Sequence, residues 1–594
     1  MKKQFFTFLL MLLPVMVSAD PVEIDGIYYN LVKKINEAEV TSKPNGGYSG
    51  DIIIPSSITH DGIAYNVTSV GVGAFSSSKS LVSVILPDGI KTIGSHAFWD
   101  CDGLLSITIP KSLISIGEGA FIYCYNLKEV FISDLDAWFN IDFESESSNP
   151  LFYQGGNDSQ NHLYLNNEEV LDLVIPSKIT EIKKYIFYGA SSIKSVTFHK
   201  NVKSIGNSAF VLNSITSVHI SDLSSWMNID FADNSSNPFS NYYGNNPHKL
   251  YLNGEEIKDL VIPNDVTSIG DYVFIGCYGF SSVTIHSSVN SIGKNAFMGC
   301  HGLTTITIPN SVTNIGGGAF GYCINLKQMN IPNKLISIED GVWSDCKSLE
   351  KIEIPTSITA IGKNSFGGCE SITSILIPNS VVSIGNSAFY NCLNLETITI
   401  GSGIKTIGDQ YGEYFTPGGY VFSNCPEIKD VYCLAESVPV TQLNTFSNSY
   451  IEHATLHVPA VSFDAYKNSA PWNGFKGIVS IGEDEIPETP KCATPEISFE
   501  NGRVCFSCDT EGVEYITDIK LADEHKFYDS EIQLSQKYTV TVYAIKNGYD
   551  NSETVTRDII IKGDGKAIIV GDVNNDGKVN VADHVELSKI IMNQ

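Results

Sequence analysis

The chain has 594 residues, too many for one compact domain, and 43% of them are hydrophobic, so most of its length can bury a core. Its formal charge is −28. That excludes nucleic acid and an anionic membrane surface as partners, since both need clustered Lys and Arg.

Residues 1–19 read as a signal peptide. Lys2 and Lys3 give a positive start, Phe5 to Val17 an apolar run too short to span a bilayer, and Val17-Ser18-Ala19 a small-residue cleavage site. No other stretch is long and apolar enough to span, so the expectation is an exported protein, extracellular or at the cell surface, with no membrane span.

From about residue 66 one frame recurs: Leu-x-x-Ile-x-Ile-Pro, then Val-x-x-Ile-Gly, then Ala-Phe-x-x-Cys. Leu303, Ile306, Ile308, Pro309, Ile315, Gly316, Ala319, Phe320 and Cys323 form one copy. The aromatic position marks the period: Phe75, Phe98, Phe121, Phe187, Phe210, Phe274, Phe297, Phe320, Trp343, Phe366, Phe389 and Phe422. Most steps are 23 residues, and three are longer: 66 after Phe121, 64 after Phe210 and 33 after Phe389. The β-branched Ile-x-Ile reads as a short strand. The Pro after it has no N–H for a ladder and ends the strand. The Ile-Gly pair reads as a turn in which Gly takes φ > 0. The aromatic ring enters a core that no 23-residue unit could bury alone, so the units must stack.

This frame resembles the BspA-like leucine-rich repeats of bacterial surface and secreted proteins. The resemblance covers residues 66 to 482 and implies adhesion, by binding of host matrix proteins, other cells or glycans. Residues 20–65, with Ile24-Asp25-Gly26-Ile27-Tyr28-Tyr29 and Ile52-Ile53-Ile54-Pro55, resemble the family's N-terminal cap. Leu456-His457-Val458-Pro459 through Trp472 and Phe475 resembles its closing cap.

The long steps predict insertions near 131–165, 219–253 and 409–419. The first two are copies: Trp138-Phe139-Asn140-Ile141-Asp142-Phe143 recurs as Trp226-Met227-Asn228-Ile229-Asp230-Phe231, and Leu163-Tyr164-Leu165-Asn166 as Leu250-Tyr251-Leu252-Asn253. Exact duplication favours a structural module with its own small core over a sugar platform. The tips between the copies differ, with Tyr153, Gln154 and Asn157 in one and Tyr242, Tyr243 and Asn246 in the other, which makes them candidates for binding an extracellular protein or glycan. The outward strand positions (Thr305, Thr307, Gln328, Asn330, Lys351, Glu353, Ser374, Thr397, Thr399) are small or polar, and no aromatic row stands out among them.

Nine Cys share one repeat position and read as small core residues, because equivalent rungs do not aim thiols at each other. Gly316-x-Gly318-x-x-Gly321 matches a dinucleotide fingerprint only formally, since it is the repeat frame with no βαβ unit around it. No nucleophile elbow, zinc-protease helix or Walker loop is present, so the chain reads as no enzyme.

Residues 483–491 read as an acidic linker. Residues 492–563 alternate as short strands and are similar to an immunoglobulin- or fibronectin-like module, with a bridge open from Cys492 to Cys505 or Cys508. Residues 564–594 carry a calcium loop: Asp572, Asn574, Asp576, Lys578, Asn580 and Asp583 fall at positions one, three, five, seven, nine and twelve, with Gly577 at six. An apolar helix should follow. The loop resembles a dockerin repeat, which implies docking to a cohesin-type domain, with Val581 and Ala582 at the partner-reading positions; dockerins carry two such loops and this sequence holds one. The expected architecture is a β-rich solenoid of ~23-residue leucine-rich-type repeats with α+β loops, then a small β-sandwich and a short calcium loop–helix. The function that follows is non-enzymatic binding, adhesin-like, through the solenoid. The alternative is an accessory subunit of a polysaccharide-degrading assembly, recruited through the dockerin-like end.

Overall fold

The computed structural model describes residues 20–152, 161–211, 214–239, 248–408, 419–481, 494–500, 503–508, 514–528, 531–545, 554–561 and 567–569. The chain forms two compact units, 1–305 with 314–326, and 306–313 with 327–594.

The first unit opens with antiparallel strands. Val22–Ile24 pairs with Ile27–Val32, which pairs with Glu37–Thr41. Glu37–Thr41 then pairs parallel with Ile63–Val70, and the end of that strand pairs parallel with Thr92–Ile93. From there each coil adds one strand to each of two parallel ladders. The longer strands Ser49–Ile53, Ser80–Ile85, Ser106–Ile109, Glu129–Ile132 and His162–Leu165 form one. Two-residue strands form the other. Because strand side chains alternate, Val84, Ile107, Val130 and Leu163 all face inward and are buried. Backbone bonds also link the Ala-Phe turns: Phe75 N donates to Ala97 O at 2.7 Å and Phe98 N to Ala120 O at 2.8 Å.

Stacking brings the ladder rings face to face. Phe75–Phe98, Phe98–Phe121, Phe274–Phe297 and Phe297–Phe320 have centroids 4.9, 5.1, 5.3 and 5.4 Å apart. This is close to the ~4.8 Å strand spacing. The thiol three residues on holds the previous coil. Cys101, Cys124, Cys300 and Cys323 Sγ donate to the carbonyls of Phe75, Phe98, Phe274 and Phe297 at 2.9–3.3 Å. Burial pushes the Cys323 thiol up to about 12, so it stays protonated and able to donate.

Gly408 takes the positive φ expected of the Ile-Gly pair, at +80°, but in most coils the glycine does not serve that purpose. Gly94, Gly117, Gly206, Gly293 and Gly316 are absent from the positive-φ positions. A Cβ there would lie 2.5–2.6 Å from the backbone nitrogen of the preceding coil, at Val72, Ser95, Lys184, Asp271 and Lys294. Close approach between coils demands the glycine. The left-handed backbone falls instead two and six residues later, for example at His96 and Asp100, Gly119 and Tyr123, and Asn295 and Gly299.

The described residues of 131–165 and 219–253 enter the stack rather than looping out of it. Glu129–Ile132 and His162–Leu165 lie in the longer-strand ladder, and Asp142–Phe143 pairs with Ser115–Ile116 in the short one. The second copy does the same with Ser217–Ile220, Lys249–Leu252 and Asp230–Phe231. The duplicated residues are the fasteners. Asp134 and Asp222 cap the helices Leu135–Phe139 and Leu223–Met227. Trp138 Nε1 donates to Ile186 O and Trp226 Nε1 to Val273 O, both at 3.2 Å. Asn149 Nδ2 reaches Tyr185 O at 2.7 Å and Asn237 Nδ2 reaches Tyr272 O at 2.9 Å. Each copy ends in an antiparallel hairpin, Glu168–Glu169 against His162–Leu165 and Glu255–Glu256 against Lys249–Leu252, after which a new sheet begins.

The second unit repeats the ladder. Trp343, Phe366, Phe389, Phe422 and Phe446 stack at 5.3–5.7 Å. Phe389 and Phe422 keep the spacing across their 33-residue step, so that extra length leaves the ladder undisturbed. Ser449 replaces the repeat's thiol and donates to Phe422 O at 2.6 Å. Parallel stacking then stops. Trp472 and Phe475 meet Phe446 edge to face, at interplanar angles of 69° and 80°. Beyond Ile481 the described strands are antiparallel: Glu496–Glu500 with Arg503–Ser507, and a sheet of Glu514–Tyr528, Glu531–Ile545, Val555–Ile561 and Ala567–Ile569. Two of these strands run for 15 residues, longer than the short strands expected there.

A second aromatic stack crosses four segments of the first unit: Phe239–His248, His248–Tyr278 and Tyr278–His301, at 5.7, 5.5 and 4.2 Å. His248 is buried, and burial lowers its pKa against weaker pulls from the carbonyls of Gly276 and Phe239. Burial lowers that of His301 too.

Two predictions follow from this packing. Phe297→Ala should cost roughly 3–5 kcal/mol, and Gly293→Ala should destabilise as well, whereas Asn295→Gly should be tolerated; urea melts of the three variants would rank them. Above its ordinary value of 6.5, His248 is neutral folded or unfolded. Below that value the unfolded chain binds the proton more readily, so stability falls as pH drops through the lowered folded value. Melting temperatures between pH 7 and pH 4 should fall less for His248→Phe than for the native chain.

Candidate functional site

The outward positions of the longer strands are brought into register by the stacking. In the first sheet Ile53, Ile85, Thr108, Phe131 and Tyr164 are successive cross-strand partners. In the next, Val174, Thr197, His219 and Tyr251 are. In the second unit the same position holds Leu376, Thr399, Tyr432, His457 and Val479. Each row is β-branched or aliphatic at its start, with Ile53 68% and Val174 60% exposed, and carries a stacked ring pair further on. Phe131–Tyr164, His219–Tyr251 and Tyr432–His457 have centroids 4.8, 4.6 and 4.1 Å apart and interplanar angles of 22°, 15° and 12°.

The small or polar outward positions read from the sequence hold at Thr305, Thr307, Gln328, Lys351 and Ser374, which are exposed, and these rows add aliphatic and aromatic residues that the sequence reading did not single out. Thr399, expected to be exposed, is 6% exposed and sits between Leu376 and Tyr432 in the register.

A polar row lies two residues earlier on each strand. Ser83 Oγ donates to Asp51 at 2.6 Å and Ser282 Oγ to Asp259 at 2.6 Å. The Ser282 and Ser281 hydroxyls hold the Asp259 carboxyl below its usual range. Lys249 pairs with Glu256 at 2.9 Å and His162 with Glu169 across the two hairpins, and His457 Nε2 with Asp430 at 2.9 Å. The hydrogen bond to Glu256 raises the Lys249 pKa. Partial burial, with Glu129 and Glu169 nearby, raises that of Tyr164.

The arrangement suits contact rather than chemistry. In each pair the rings stack face to face beside aliphatic and β-branched neighbours in the same row. Such a mixed aromatic and aliphatic row packs well against protein side chains.

Among the described residues no three His, Cys, Asp or Glu side chains are grouped to hold a metal ion, and no helix is long and apolar enough to cross a membrane. Several sequence-derived sites lie outside the described residues: the signal segment 1–19, the tips Tyr153, Gln154, Asn157, Tyr242, Tyr243 and Asn246, Cys492, and the calcium loop Asp572, Asn574, Asp576, Lys578, Asn580 and Asp583 with Val581 and Ala582.

The chain is similar to solved leucine-rich repeat proteins. One from Bacteroides ovatus shares 22% identity, covering 74% of this chain and 99% of that one, with a TM-score of 0.41. A leucine rich cell surface protein from Faecalibacterium prausnitzii shares 22%, covering 73% and 98%, with a TM-score of 0.42. The pneumococcal vaccine antigen PcpA shares 16%, covering 78% and 99%, with a TM-score of 0.37. No curated protein matches the chain. The BspA type leucine rich repeat region matches in six copies, over residues 55–143, 159–239, 247–351, 290–416 and 337–471. These spans take in more than half of the sequence and coincide with the stacked coils, so the chain belongs to the BspA-type leucine-rich repeat family.

Proposed function

We propose that this protein is a secreted or surface-associated, non-enzymatic binding protein that engages an extracellular protein through the outer face of its longer-strand sheets. The observation that carries this reading is the register-aligned outward row, which ends on stacked ring pairs in two sheets of the first unit and includes another in the second. Isolated exposed apolar residues are ordinary, whereas aligned exposed apolar residues mark interaction surfaces. Aromatic residues on a rigid sheet are suited to anchoring a partner with little loss of side-chain entropy. Adhesion to a matrix protein or another cell would be the biological form of such binding, and the apolar leader with its small-residue cleavage site would direct the export it needs.

A second reading rests on the C-terminal loop. Asp572, Asn574, Asp576, Asn580 and Asp583 are hard oxygen donors in calcium-loop spacing, with Lys578 at the position that ligates through its backbone carbonyl. With calcium held there, Val581 and Ala582 would meet a cohesin-type partner, which would recruit the chain to a polysaccharide-degrading assembly.

The two readings separate experimentally. The chain lacking 1–19 is tested for binding to immobilised matrix proteins and to the producing cell's envelope, with calcium and with chelator. The outer-face reading expects calcium-independent binding that drops about tenfold or more in Phe131→Ser/Tyr164→Ser, the size of a hot-spot loss, at an unchanged melting temperature. Binding that requires calcium and is unaffected by that variant would transfer the function to the C-terminal loop. Calorimetry should find one calcium site, abolished in Asp572→Ala/Asp576→Ala, and no heat at all would remove the second reading.

A further inference from the structure

The longer-strand ladder of the first unit breaks at the same place in each duplicated coil. Glu168-Glu169-Val170-Leu171-Asp172-Leu173-Val174 and Glu255-Glu256-Ile257-Lys258-Asp259-Leu260-Val261 correspond residue by residue. In each copy the hairpin strand turns back, and the short strands Asp172–Val174 and Asp259–Val261 open new sheets. Each of these strands pairs with the following coil. Among the described residues nothing pairs with its other edge.

The hydrogen bonds identify what that edge presents. Ser195 N donates to Leu171 O at 3.3 Å and Ile175 N to Thr197 O at 3.0 Å. Ser282 N donates to Lys258 O at 3.5 Å and Ile262 N to Thr284 O at 3.0 Å. In a parallel ladder alternate residues of a strand bond to opposite neighbours. The backbone groups of Asp172, Val174, Asp259 and Val261 therefore point away from the following coil. Elsewhere the preceding coil takes such groups: Glu129 N donates to Leu105 O at 3.2 Å and Ser217 N to Lys194 O at 3.4 Å. At the two breaks no described residue does.

The side chains at the open edge are apolar and acidic. Val174 and Val261 are each 60% exposed, and Leu171 is 46% exposed. At the second break a cleft of about 430 Å³ lies against Asp259–Val261, with Leu223, Leu252 and Ile257 in its wall and Glu255 beside them. At the first break Glu168, Glu169 and Asp172 are exposed.

An unpaired strand edge is a template for another strand. The carboxylates select which strand. A second copy of this chain would bring Asp and Glu against Asp and Glu, and like charges oppose pairing. An extended segment that alternates Lys or Arg with apolar residues satisfies every feature of the edge. Its backbone takes the open N–H and C=O groups, its apolar side chains enter the cleft, and its cations meet the carboxylates.

We infer that the two breaks are docking sites for an extended, basic segment of a partner protein, which adds as a strand to Asp172–Val174 or Asp259–Val261. The contact is made by backbone edges rather than by the ring pairs of the outward row, so it does not rest on their role.

The test titrates the chain lacking 1–19 with three fluorescein-labelled peptides: alternating Lys and Val, the same peptide N-methylated at alternate amides, and alternating Glu and Val. The Lys peptide should bind at submillimolar concentration. The other two should bind about tenfold or more weakly, the size of a hot-spot loss, the one because it lacks strand donors and the other because it meets like charge. Val174→Pro/Val261→Pro removes one open N–H from each edge and spares the bonds to the following coil, as proline on a sheet edge can. It should weaken the Lys peptide by the same factor at an unchanged melting temperature. If that variant unfolds, Asp172→Lys/Asp259→Lys decides, and it should lose the Lys peptide and gain the Glu peptide. The inference is overturned if the Lys peptide does not bind at millimolar concentration, if the N-methylated peptide binds equally well, or if affinity survives both double variants. It is also overturned if Phe131→Ser abolishes binding, which would move the site to the ring pairs.

Discussion

In the coils the backbone finds its hydrogen-bond partners chiefly in the adjacent coils. Three ladders run from coil to coil, through the longer strands, the two-residue strands and the Ala-Phe turns. This ties the coil spacing to a β-sheet separation, and the other features follow from it. Aromatic rings at equivalent positions must stack at about that distance. The thiols reach back to a carbonyl one coil earlier. A side chain at the Ile-Gly glycine has no room, because the neighbouring coil already occupies it.

The same constraint accounts for the duplicated coils. Their strands enter both ladders, so the added length has to leave between strands rather than displace them. A capped helix, an indole hydrogen bond and an asparagine that clasps the next coil do the fastening in both copies. Duplication preserved these fasteners together with the outward ring position, so Tyr164 and Tyr251 occupy matching places.

The repeat was legible in the sequence because its signals are local: a strand-ending Pro, an aromatic at constant spacing and a buried Cys. The outward row was not. Phe131 and Tyr164 are 33 residues apart, His219 and Tyr251 are 32, and Tyr432 and His457 are 25, so no fixed period aligns them. They align only once each irregular segment is known to complete one coil. The role of the Ile-Gly glycine was misread for a related reason. Its constraint is contact with a residue 22 positions earlier, which a reading of local turns does not see.

The stack in the second unit ends on Trp472 and Phe475, which turn their edges to Phe446. A stack of identical layers has no intrinsic length, since its last layer is complementary to its own first. Left open, such an end invites another molecule to continue the pattern head to tail, and the assembly that results does not close. Here the first layers are antiparallel strands and the last rings are rotated out of the stacking plane, so the two ends of the ladder differ from its repeating layers. A local change in ring orientation thus ends the ladder at Phe446, with no further ring laid parallel on it.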